Sequence, residues 1–469
     1  MGYIVAICIY LFALIVYGLI VARKKVKTTD DMIVGGHKIP FIILVGSLLA
    51  TWCGGGGITG SAGIIFTGGP IVGLIAFSAA PIGIFLLYFI AGRMRKSNKV
   101  TVPSVMRARY GKTAGILSAL CIMIAYIGVV ATQLKAAANV IVLLCTESGI
   151  QVSYSTALIA CAAVIVIVTV GGGLVSVAYS DAISALIMLG GFAIAIPFLV
   201  MAADKAGAVM PAAKASFTGG LSFTTLLGYF VPTIALVLGD QNMMQRFASA
   251  KDSKSAKKSN LGMLIGELVV IVLTVAFVAQ ACRLYDHLDK PANVIFQETI
   301  DYLPFLSGAI MICACMAFIV TTADSFLLSA ATNLSNDIFA EYIKKDATDK
   351  QKMLVLRVTI VVFTIIAVLL TACFPTVLAL QLTAYTMYGA AITPAILFAL
   401  FSKKVTPAAG VAGIIAGGAA TILWTVLGTP GGLQCAIVSV PVSILAILVV
   451  TAVTKNRSSD HTIDSLYQG

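Results

Sequence analysis

Thirteen apolar stretches, each long enough to cross a lipid bilayer, follow one another along nearly the whole chain. A hydrocarbon core about 30 Å thick requires roughly 20 apolar residues per helix, and only a helix or a closed barrel satisfies the backbone there. Only 11% of the 469 residues are charged, whereas soluble domains contain about 25%. The sequence therefore predicts an all-α membrane protein with thirteen transmembrane helices. The stretches lie approximately at 3–22, 38–66, 70–92, 115–145, 155–172, 178–203, 222–247, 260–283, 303–339, 353–374, 376–401, 407–428 and 431–454.

The basic residues are spread over short loops, although the net charge of the chain is +12. When the N-terminus is placed outside, the inner loops contain 26 of the 31 Lys and Arg residues. Cytoplasmic loops carry such an excess, so we expect a multi-pass protein of the cytoplasmic (inner) membrane. Its N-terminus is predicted outside and its C-terminus inside. The first stretch ends directly in basic residues 23–25, which is typical of a membrane helix and not of a signal peptide.

Motifs of enzyme chemistry are missing from the sequence. It contains no Gly-x-Ser-x-Gly or His-Glu-x-x-His pattern, and its three His residues are scattered through loops and tail. The ten Cys lie mostly in apolar stretches without Cys-x-x-Cys spacing, so we interpret them as small buried hydrophobic residues. We therefore predict no enzyme, no catalytic residue and no organic cofactor. The expected partners are a small solute, sodium and the lipid bilayer, without nucleic acid, and the expected state is a monomer or weak homo-oligomer.

Two of the apolar stretches are interrupted near their middle. The second contains four consecutive glycines, 54–57, and the seventh contains the polar segment 239–242. Each is the first member of a group of five stretches, so the interruptions fall at corresponding positions of two possible repeats. Paired breaks of this kind are typical of the central binding site of a secondary transporter. The alternative is that the glycines only allow close packing of helices.

Charged residues inside a membrane segment are costly and are functional candidates by default. The ninth stretch also contains a hydroxyl-rich run, residues 321–325, in which spacings of three bring Thr321 near Asp324 and Thr322 near Ser325. Hydroxyls, backbone carbonyls and a carboxylate are suitable ligands for a small hard cation. Alternatively, the hydroxyls bond to their own helix and Asp324 only pairs with Lys135. The charged residues that we take as candidates within the apolar stretches are Lys135, Asp181, Asp240, Glu267 and Asp324.

Several segments together resemble the sodium:solute symporter family, and most closely its high-affinity choline transporter branch. They are residues 50–56, 80–83, 172–181, 245–246 and 321–337. The resemblance implies sodium-coupled import of a small polar organic solute by alternating access. It also implies a leucine-transporter-like core of two inverted five-helix repeats. The chain would then comprise an extra helix and inner loop at 1–37, the repeats at 38–203 and 204–401, and two last helices with a tail at 402–469.

The resemblance also implies positions for sodium ions. The family's principal site corresponds to the backbone carbonyls of Ala50, Cys53 and Phe318 and the hydroxyls of Thr321 and Thr322. A second site, which some members have, corresponds to Asp181, Asp324 and Ser325. Asp324 departs from the family pattern, because a carboxylate stands where a hydroxyl is expected. It would strengthen a cation site or pair with Lys135, and the sequence leaves both open.

The solute site implied by the resemblance surrounds the two interruptions. Trp52 coincides with an aromatic residue of the choline branch's cation cage and Tyr126 lies about where another does, although both also suit packing. Asp240 stands where that branch has tryptophan, so the cage would be incomplete. The predicted solute-binding residues are Trp52, Gly55, Tyr126, Asp240, Gln241 and Asn242. A choline-like amine, an amino acid and a carboxylate all remain open, as do proton coupling, uncoupled transport and a sensor role.

Two spatial expectations follow from these assignments. Trp52 and Asp240 should face one cavity, because both lie at breaks that the inverted repeats bring together. Lys135 should compensate Asp181 or Asp324, since an unpaired charge at the membrane centre costs at least about 2.5–3.5 kcal/mol. The Lys135 ammonium would then occupy the place of a second sodium ion.

Overall fold

Helices that can cross a membrane make up nearly all of the computed structural model, which describes residues 1–25, 33–37, 39–216 and 221–454. Twelve continuous spans and one bent helix pair account for the thirteen predicted stretches. The inner-loop residues Lys27 and Lys38 and the tail residues Lys455 and Arg457 lie outside the described residues. In chain order, spans 1–13 are Gly2–Val21, Phe41–Trp52 with Gly56–Gly68, Pro70–Lys96, Lys112–Glu147, Tyr154–Gly171, Gly173–Lys205, Phe223–Ser249, Ser253–Leu284, Phe305–Ile343, Asp349–Cys373, Val377–Phe401, Pro407–Val426 and Cys435–Val453.

The centre of the bundle is formed by spans 9 and 11. In their most apolar windows 78% and 83% of the residues are buried, against 22% in spans 1, 5 and 13. Span 9 is α-helical over Phe305–Thr332 and continues in wider π-type turns over Asn333–Ile343. A helix surrounded by protein on all sides can contain polar side chains that lipid would not tolerate. The hydroxyl-rich run 321–325 lies in this buried helix.

Span 2 is broken where the four glycines were noted. Its first half ends at Trp52, the second begins at Gly56, and the two halves are bent by 57°. Glycine lacks a Cβ and destabilises a continuous helix, and non-helical backbone at membrane depth is tolerated only inside protein or along a cavity. The break therefore lies in the protein interior rather than against lipid.

Span 7 is interrupted at the corresponding position, but more mildly. One helix covers Phe223–Gly239 and the next covers Gln241–Ser249. Between them Asp240 has ψ 118°, which is outside the helical region, and its carboxylate accepts hydrogen bonds from the backbone N–H groups of Asn242 and Met243. Asp240 thus caps the second half-helix, a role in which a short acidic side chain stabilises a helix N-terminus.

Spans 5 and 6 follow each other almost without a loop. The turn is made at Gly173, whose φ of 76° and ψ of 170° suit glycine best. The sequence places the start of span 6 at residue 178, whereas the helix already begins at Gly173. Among the described residues, two short α-helices lie outside the spans, Val102–Tyr110 between spans 3 and 4 and Val294–Tyr302 between spans 8 and 9.

Candidate functional site

A cavity opens beside the break in span 2. It contains about 870 Å³ of empty space, part of which is continuous with solvent. Trp52, the last residue of the first half-helix, lies in its wall, and its ring stacks on that of Tyr385 with centroids 6.1 Å apart and planes 28° apart. Both residues line the cavity. Spans 2, 3, 6, 7, 8 and 11 all contribute wall residues.

The one acidic residue in the wall of this cavity is Glu267 of span 8. Its carboxylate accepts a hydrogen bond from Trp52 Nε1 at 3.2 Å and one from Cys53 Sγ at 3.2 Å. The residue is only 5% exposed, and no Lys, Arg or His forms an ion pair with it within the described ranges. Glu267 was noted in the sequence as a membrane carboxylate but was not assigned to the solute site.

Two oxygen atoms meet where the first half of span 2 contacts span 9. The backbone N–H of Gly54 bonds to the Trp52 carbonyl at 2.9 Å instead of continuing the helical pattern to Ala50. The Ala50 carbonyl instead accepts the hydroxyl of Thr322 at 3.1 Å. A β-carbon on Gly54 would lie 2.6 Å from Thr322 Cγ2, so only glycine allows this approach. The break therefore directs a helix-terminal carbonyl at a hydroxyl of the central helix.

The neighbouring hydroxyl of the predicted sodium site has a different direction. Thr321 Oγ1 donates to the Phe318 carbonyl of its own helix at 3.4 Å. Its side chain also lines a small cavity together with Asp324, Ser176 and Ser180. Of the five residues that the family resemblance predicts as sodium ligands, Ala50 contacts Thr322 and Phe318 contacts Thr321. The fifth, Cys53, is the first residue of the break.

The predicted second cation site contains a cation of the protein itself. Arg246 Nη2 lies 3.2 Å from Asp181 Oδ2 and 2.8 Å from Ser325 Oγ. Ser47 links the two charges, since it donates to Asp181 at 2.7 Å and contacts Arg246 Nε at 2.8 Å. Asp181 and Ser325 are thus brought together as expected, around a guanidinium that the sequence analysis did not place there. Position 246 within a predicted span was the available indication, because a fully buried arginine requires a partner.

Asp324 does not join this group. It lies in the wall of the small cavity with Thr321, beside span 1, and its Oδ1 atom has no hydrogen-bond partner among the described residues. Its side chain also interacts with Thr169 of span 5 and lies within electrostatic reach of Asp181 and Arg246. The helical spacing of three therefore divides the run 321–325 into two faces, with Thr322 and Ser325 directed at span 2 and its neighbours and with Thr321 and Asp324 directed away.

The expected role of Lys135 is wrong. Its ammonium donates to the backbone carbonyls of Thr371, at 3.1 Å, and Phe374. It forms no ion pair with Asp181 or Asp324 in the part of the chain that the structure describes. The carbonyls at the end of span 10 lack helical partners, and they suit an ammonium that can reach the membrane boundary.

The expectation that Trp52 and Asp240 face one cavity is also wrong. Trp52 lines the cavity, whereas Asp240 is fully buried and receives the hydroxyl of Tyr126 at 3.0 Å. Tyr126 in turn stacks on Tyr388, with centroids 5.2 Å apart. The N-cap role of Asp240 explains the difference, because a carboxylate that satisfies backbone N–H groups points along its own helix.

The remaining predicted solute residues lie near these breaks but away from the cavity wall. The Gln241 side chain donates to Ser329 Oγ at 2.8 Å and to Asn333 Oδ1 at 2.7 Å, and Asn242 is almost fully buried. The backbone N–H of Gly55 donates to Gln133 Oε1 at 2.5 Å. Gln133 was not identified from the sequence, since a single polar residue in an apolar helix has no local pattern.

Comparisons with known proteins agree with this architecture. The sequence model of the sodium:solute symporter family matches residues 32–417, most of the chain. The sodium/proline symporter of Escherichia coli (strain K12) is 26% identical over 461 residues, covering 91% of this chain and 88% of that protein. High affinity choline transporter 1 of Homo sapiens is 26% identical over 446 residues, covering 88% of this chain and 75% of that protein.

Solved structures are similar over nearly the full length. A substrate-bound, outward-open Na⁺-coupled sialic acid symporter has a TM-score of 0.77 at 19% identity, and the similarity covers 97% of this chain and 98% of that one. A nucleobase-cation-symport-1 family transporter in a closed conformation has a TM-score of 0.61 at 12% identity, covering 91% and 96%. These similarities confirm the leucine-transporter-like fold.

The family match decides the class of activity. It covers the broken span 2, the cavity and the hydroxyl-rich part of span 9. Sodium-coupled symport of a small solute, as predicted, is confirmed, and the chain is a multi-span membrane transporter and not an enzyme. On the family match over most of its length, this chain belongs to the sodium:solute symporter family.

Proposed function

We propose that this protein imports a small polar organic solute together with one sodium ion, by alternating access around the break in span 2. The observation that supports this most directly is the Ala50 carbonyl. It has lost its helical partner and faces the Thr322 hydroxyl at 3.1 Å, beside the cavity wall formed by Trp52. An ion held there would contact both the broken helix and the central helix. Its binding would therefore depend on how those two elements are arranged, which is what coupling requires.

The sodium ligands in this proposal are oxygens of spans 2 and 9. The carbonyls of Ala50, Cys53 and Phe318 and the hydroxyls of Thr321 and Thr322 supply the neutral oxygens that a small hard cation accepts. In the structure the Thr322 hydroxyl donates to Ala50, and a bound ion would instead receive both oxygens as ligands. Thr321 bonds to the Phe318 carbonyl on the face directed away from span 2, so it would reach the same ion only after its side chain or span 9 rotates.

The proposal of a single sodium ion rests on Arg246. Its guanidinium already holds Asp181 and Ser325, two of the three residues that would form a second cation site. A sodium ion at this place would have to displace a buried, paired positive charge, which is strongly unfavourable. Arg246 is thus the internal cation, a role that the sequence predicts for Lys135.

The solute would occupy the cavity beside Trp52. In the proposed orientation, with the N-terminus outside and the C-terminus inside a cytoplasmic membrane, this cavity opens toward the outer half of the bundle. Tyr229 and Thr233, which precede the break in span 7, line that half. The network of Tyr126, Asp240 and Gln241 closes the inner side. The two inverted repeats at 38–203 and 204–401 would rock about this point, in a protein that acts as a monomer or weak homo-oligomer.

Uptake into proteoliposomes tests this function. The full-length protein would be reconstituted and supplied with radiolabelled choline or L-proline, under an inward sodium gradient, a proton gradient or neither. We expect accumulation above equilibrium only with the sodium gradient, and a Hill coefficient for sodium near one. Accumulation driven by protons alone would overturn sodium coupling, and a Hill coefficient near two would overturn the single-ion proposal.

A pair of threonine variants tests the ion site itself. Thr322→Ala removes one oxygen ligand and should raise the sodium concentration for half-maximal uptake about tenfold, since a bond to a charged group is worth about 1.5–3 kcal/mol. Thr332→Ala is the matched control. It is a buried threonine of the same helix whose hydroxyl bonds only to Leu328 of its own helix at 2.8 Å. Equal sodium dependence in the two variants would contradict the site.

A further inference from the structure

We infer that Glu267 is the counter-ion for a positively charged nitrogen of the transported solute, so that the solute is an ammonium compound and not an organic anion. This inference rests on the proposed function, because it assigns the chemical class of the solute that fills the cavity beside Trp52. The inference rests on the buried carboxylate of Glu267, which has no ion-pair partner among the described residues. It lies in the same cavity wall as the stacked rings of Trp52 and Tyr385.

The carboxylate of Glu267 has capacity for a further ligand. An ionised carboxylate accepts at about four lone-pair sites, and here two neutral donors, Trp52 Nε1 and Cys53 Sγ, occupy one site on each oxygen. A buried charge is costly unless it is paired. Among the described residues no cationic side chain makes that pair. Glu267 lines the cavity, so a ligand there can supply the missing charge.

The surrounding aromatic rings suit the same kind of ligand. Trp52 and Tyr385 both line the cavity and lie nearly parallel, with centroids 6.1 Å apart. The face of an aromatic ring attracts a cation, with Trp the strongest, and such contacts contribute about 0.5–2 kcal/mol. Trp52 therefore has two functions at once, since its indole N–H orients the Glu267 carboxylate while its ring offers a surface to the charged nitrogen.

The charge of the cavity wall argues against an anionic solute. No Lys, Arg or His side chain of the described residues lines it, and Glu267 is its one acidic residue. Two other buried carboxylates of the core are already engaged, Asp181 by Arg246 and Asp240 by the N-terminus of its half-helix. Asp324 and Glu298 are also buried, but neither lines this cavity. An organic anion would meet a negative charge without compensation, whereas an ammonium group would complete the pair.

Binding measurements on the full-length protein in detergent test the inference. The probes are choline, which has only a positive charge, L-proline, which has an ammonium and a carboxylate, and pyruvate, which has only a carboxylate. Thermal stabilisation is recorded for each probe with and without sodium, for the parent, Glu267→Gln and Glu298→Gln. Glu298 is the matched control, because it is a buried glutamate outside the cavity wall.

We expect choline or L-proline, but not pyruvate, to stabilise the parent in sodium. Glu267→Gln should weaken that binding at least tenfold while stabilisation by sodium alone stays unchanged. Glu298→Gln should bind the ammonium probes as tightly as the parent. The two ammonium probes distinguish a purely cationic from a zwitterionic solute. Tighter binding of pyruvate than of both ammonium probes would overturn the inference, as would equal ammonium affinity in Glu267→Gln and the parent.

The failure of this inference can be told apart from failure of the proposed function. If sodium alone stabilises the parent and uptake of another solute follows the sodium gradient, the symport function stands while the ammonium assignment is lost. If Glu267→Gln alters only the pH dependence of uptake and leaves ammonium affinity intact, Glu267 is a proton site and the inference is wrong. If sodium neither stabilises the protein nor drives uptake, the proposed function itself fails.

Discussion

The guanidinium of Arg246 lies 3.2 Å from the carboxylate of Asp181, and both side chains are fully shielded from solvent. The pair joins span 7 to span 6, and the hydroxyls of Ser47 and Ser325 form further hydrogen bonds with it. A guanidinium keeps its proton under all ordinary conditions. The positive charge at this point of the core is therefore permanent, unlike that of an exchangeable ion.

The first prediction concerns the stability of this pair. Arg246→Met should lower the free energy of unfolding by about 3–5 kcal/mol, because removing one partner leaves a buried charge uncompensated. The double variant Arg246→Met with Asp181→Asn should recover most of the loss, since neither charge remains. Thermal unfolding of the purified protein in detergent measures both. A single variant as stable as the parent would show that the pair has no structural role.

The second prediction compares two neighbouring glycines. Gly54→Ala should abolish sodium-dependent uptake, because its β-carbon would lie 2.6 Å from Thr322 Cγ2 and 2.9 Å from Gln133 Oε1. Gly57→Ala is the control, since a β-carbon there meets no atom within 4 Å. Uptake in proteoliposomes, normalised to the amount of folded protein, distinguishes them. Similar losses in both variants would mean that only the flexibility of the run matters, and not the approach of Thr322.

The third prediction concerns Lys135. Lys135→Met should leave the Hill coefficient for sodium unchanged, because the ammonium bonds to the carbonyls of Thr371 and Phe374 and not to the core aspartates. A stability loss of about 1–3 kcal/mol is expected, since carbonyls at a helix end lose a charged donor. Sodium titration of uptake tests the point. A rise in the Hill coefficient would return Lys135 to the role of internal cation.

The fourth prediction concerns pH and the short helix between spans 8 and 9. Burial raises the pKa of Glu298 well above its ordinary value of 4.5, and neither carboxylate oxygen has a hydrogen-bond partner among the described residues. The folded protein therefore holds this proton over a pH range in which the unfolded chain has released it. From about pH 4.5 upward to the folded-state pKa, this group should make stability fall by about 1.4 kcal/mol per pH unit.

Glu298→Gln tests that prediction, because an amide does not titrate. Its unfolding temperature should depend less on pH between 5 and 8 than that of the parent, and the two curves should diverge most at the upper end. A surface variant such as Glu147→Gln should follow the parent. Parallel curves for the parent and Glu298→Gln would mean that the carboxyl group has no raised pKa.

Some features of the fold and site could be predicted because they depend on local sequence. A membrane helix needs a minimum run of apolar residues, so thirteen spans could be counted along the chain, and four consecutive glycines cannot continue a buried helix easily, so the break after Trp52 was predicted. Family motifs added the pairing of Ala50 with Thr322, which the structure brings to 3.1 Å.

The partners of charges far apart in the chain depend instead on how the helices pack. Arg246 and Asp181 are 65 residues apart, and Trp52 and Glu267 are 215 apart. The spacing of residues within one helix does not determine which charged residue of another helix a given side chain will contact. The sequence alone therefore determined that buried charges require partners. The packing of the helices pairs Arg246 with Asp181 and places Glu267 at the cavity, and it leaves Asp240 to cap its own helix. Side-chain direction at a helix crossing depends on both helices, so a single helix sequence does not determine it.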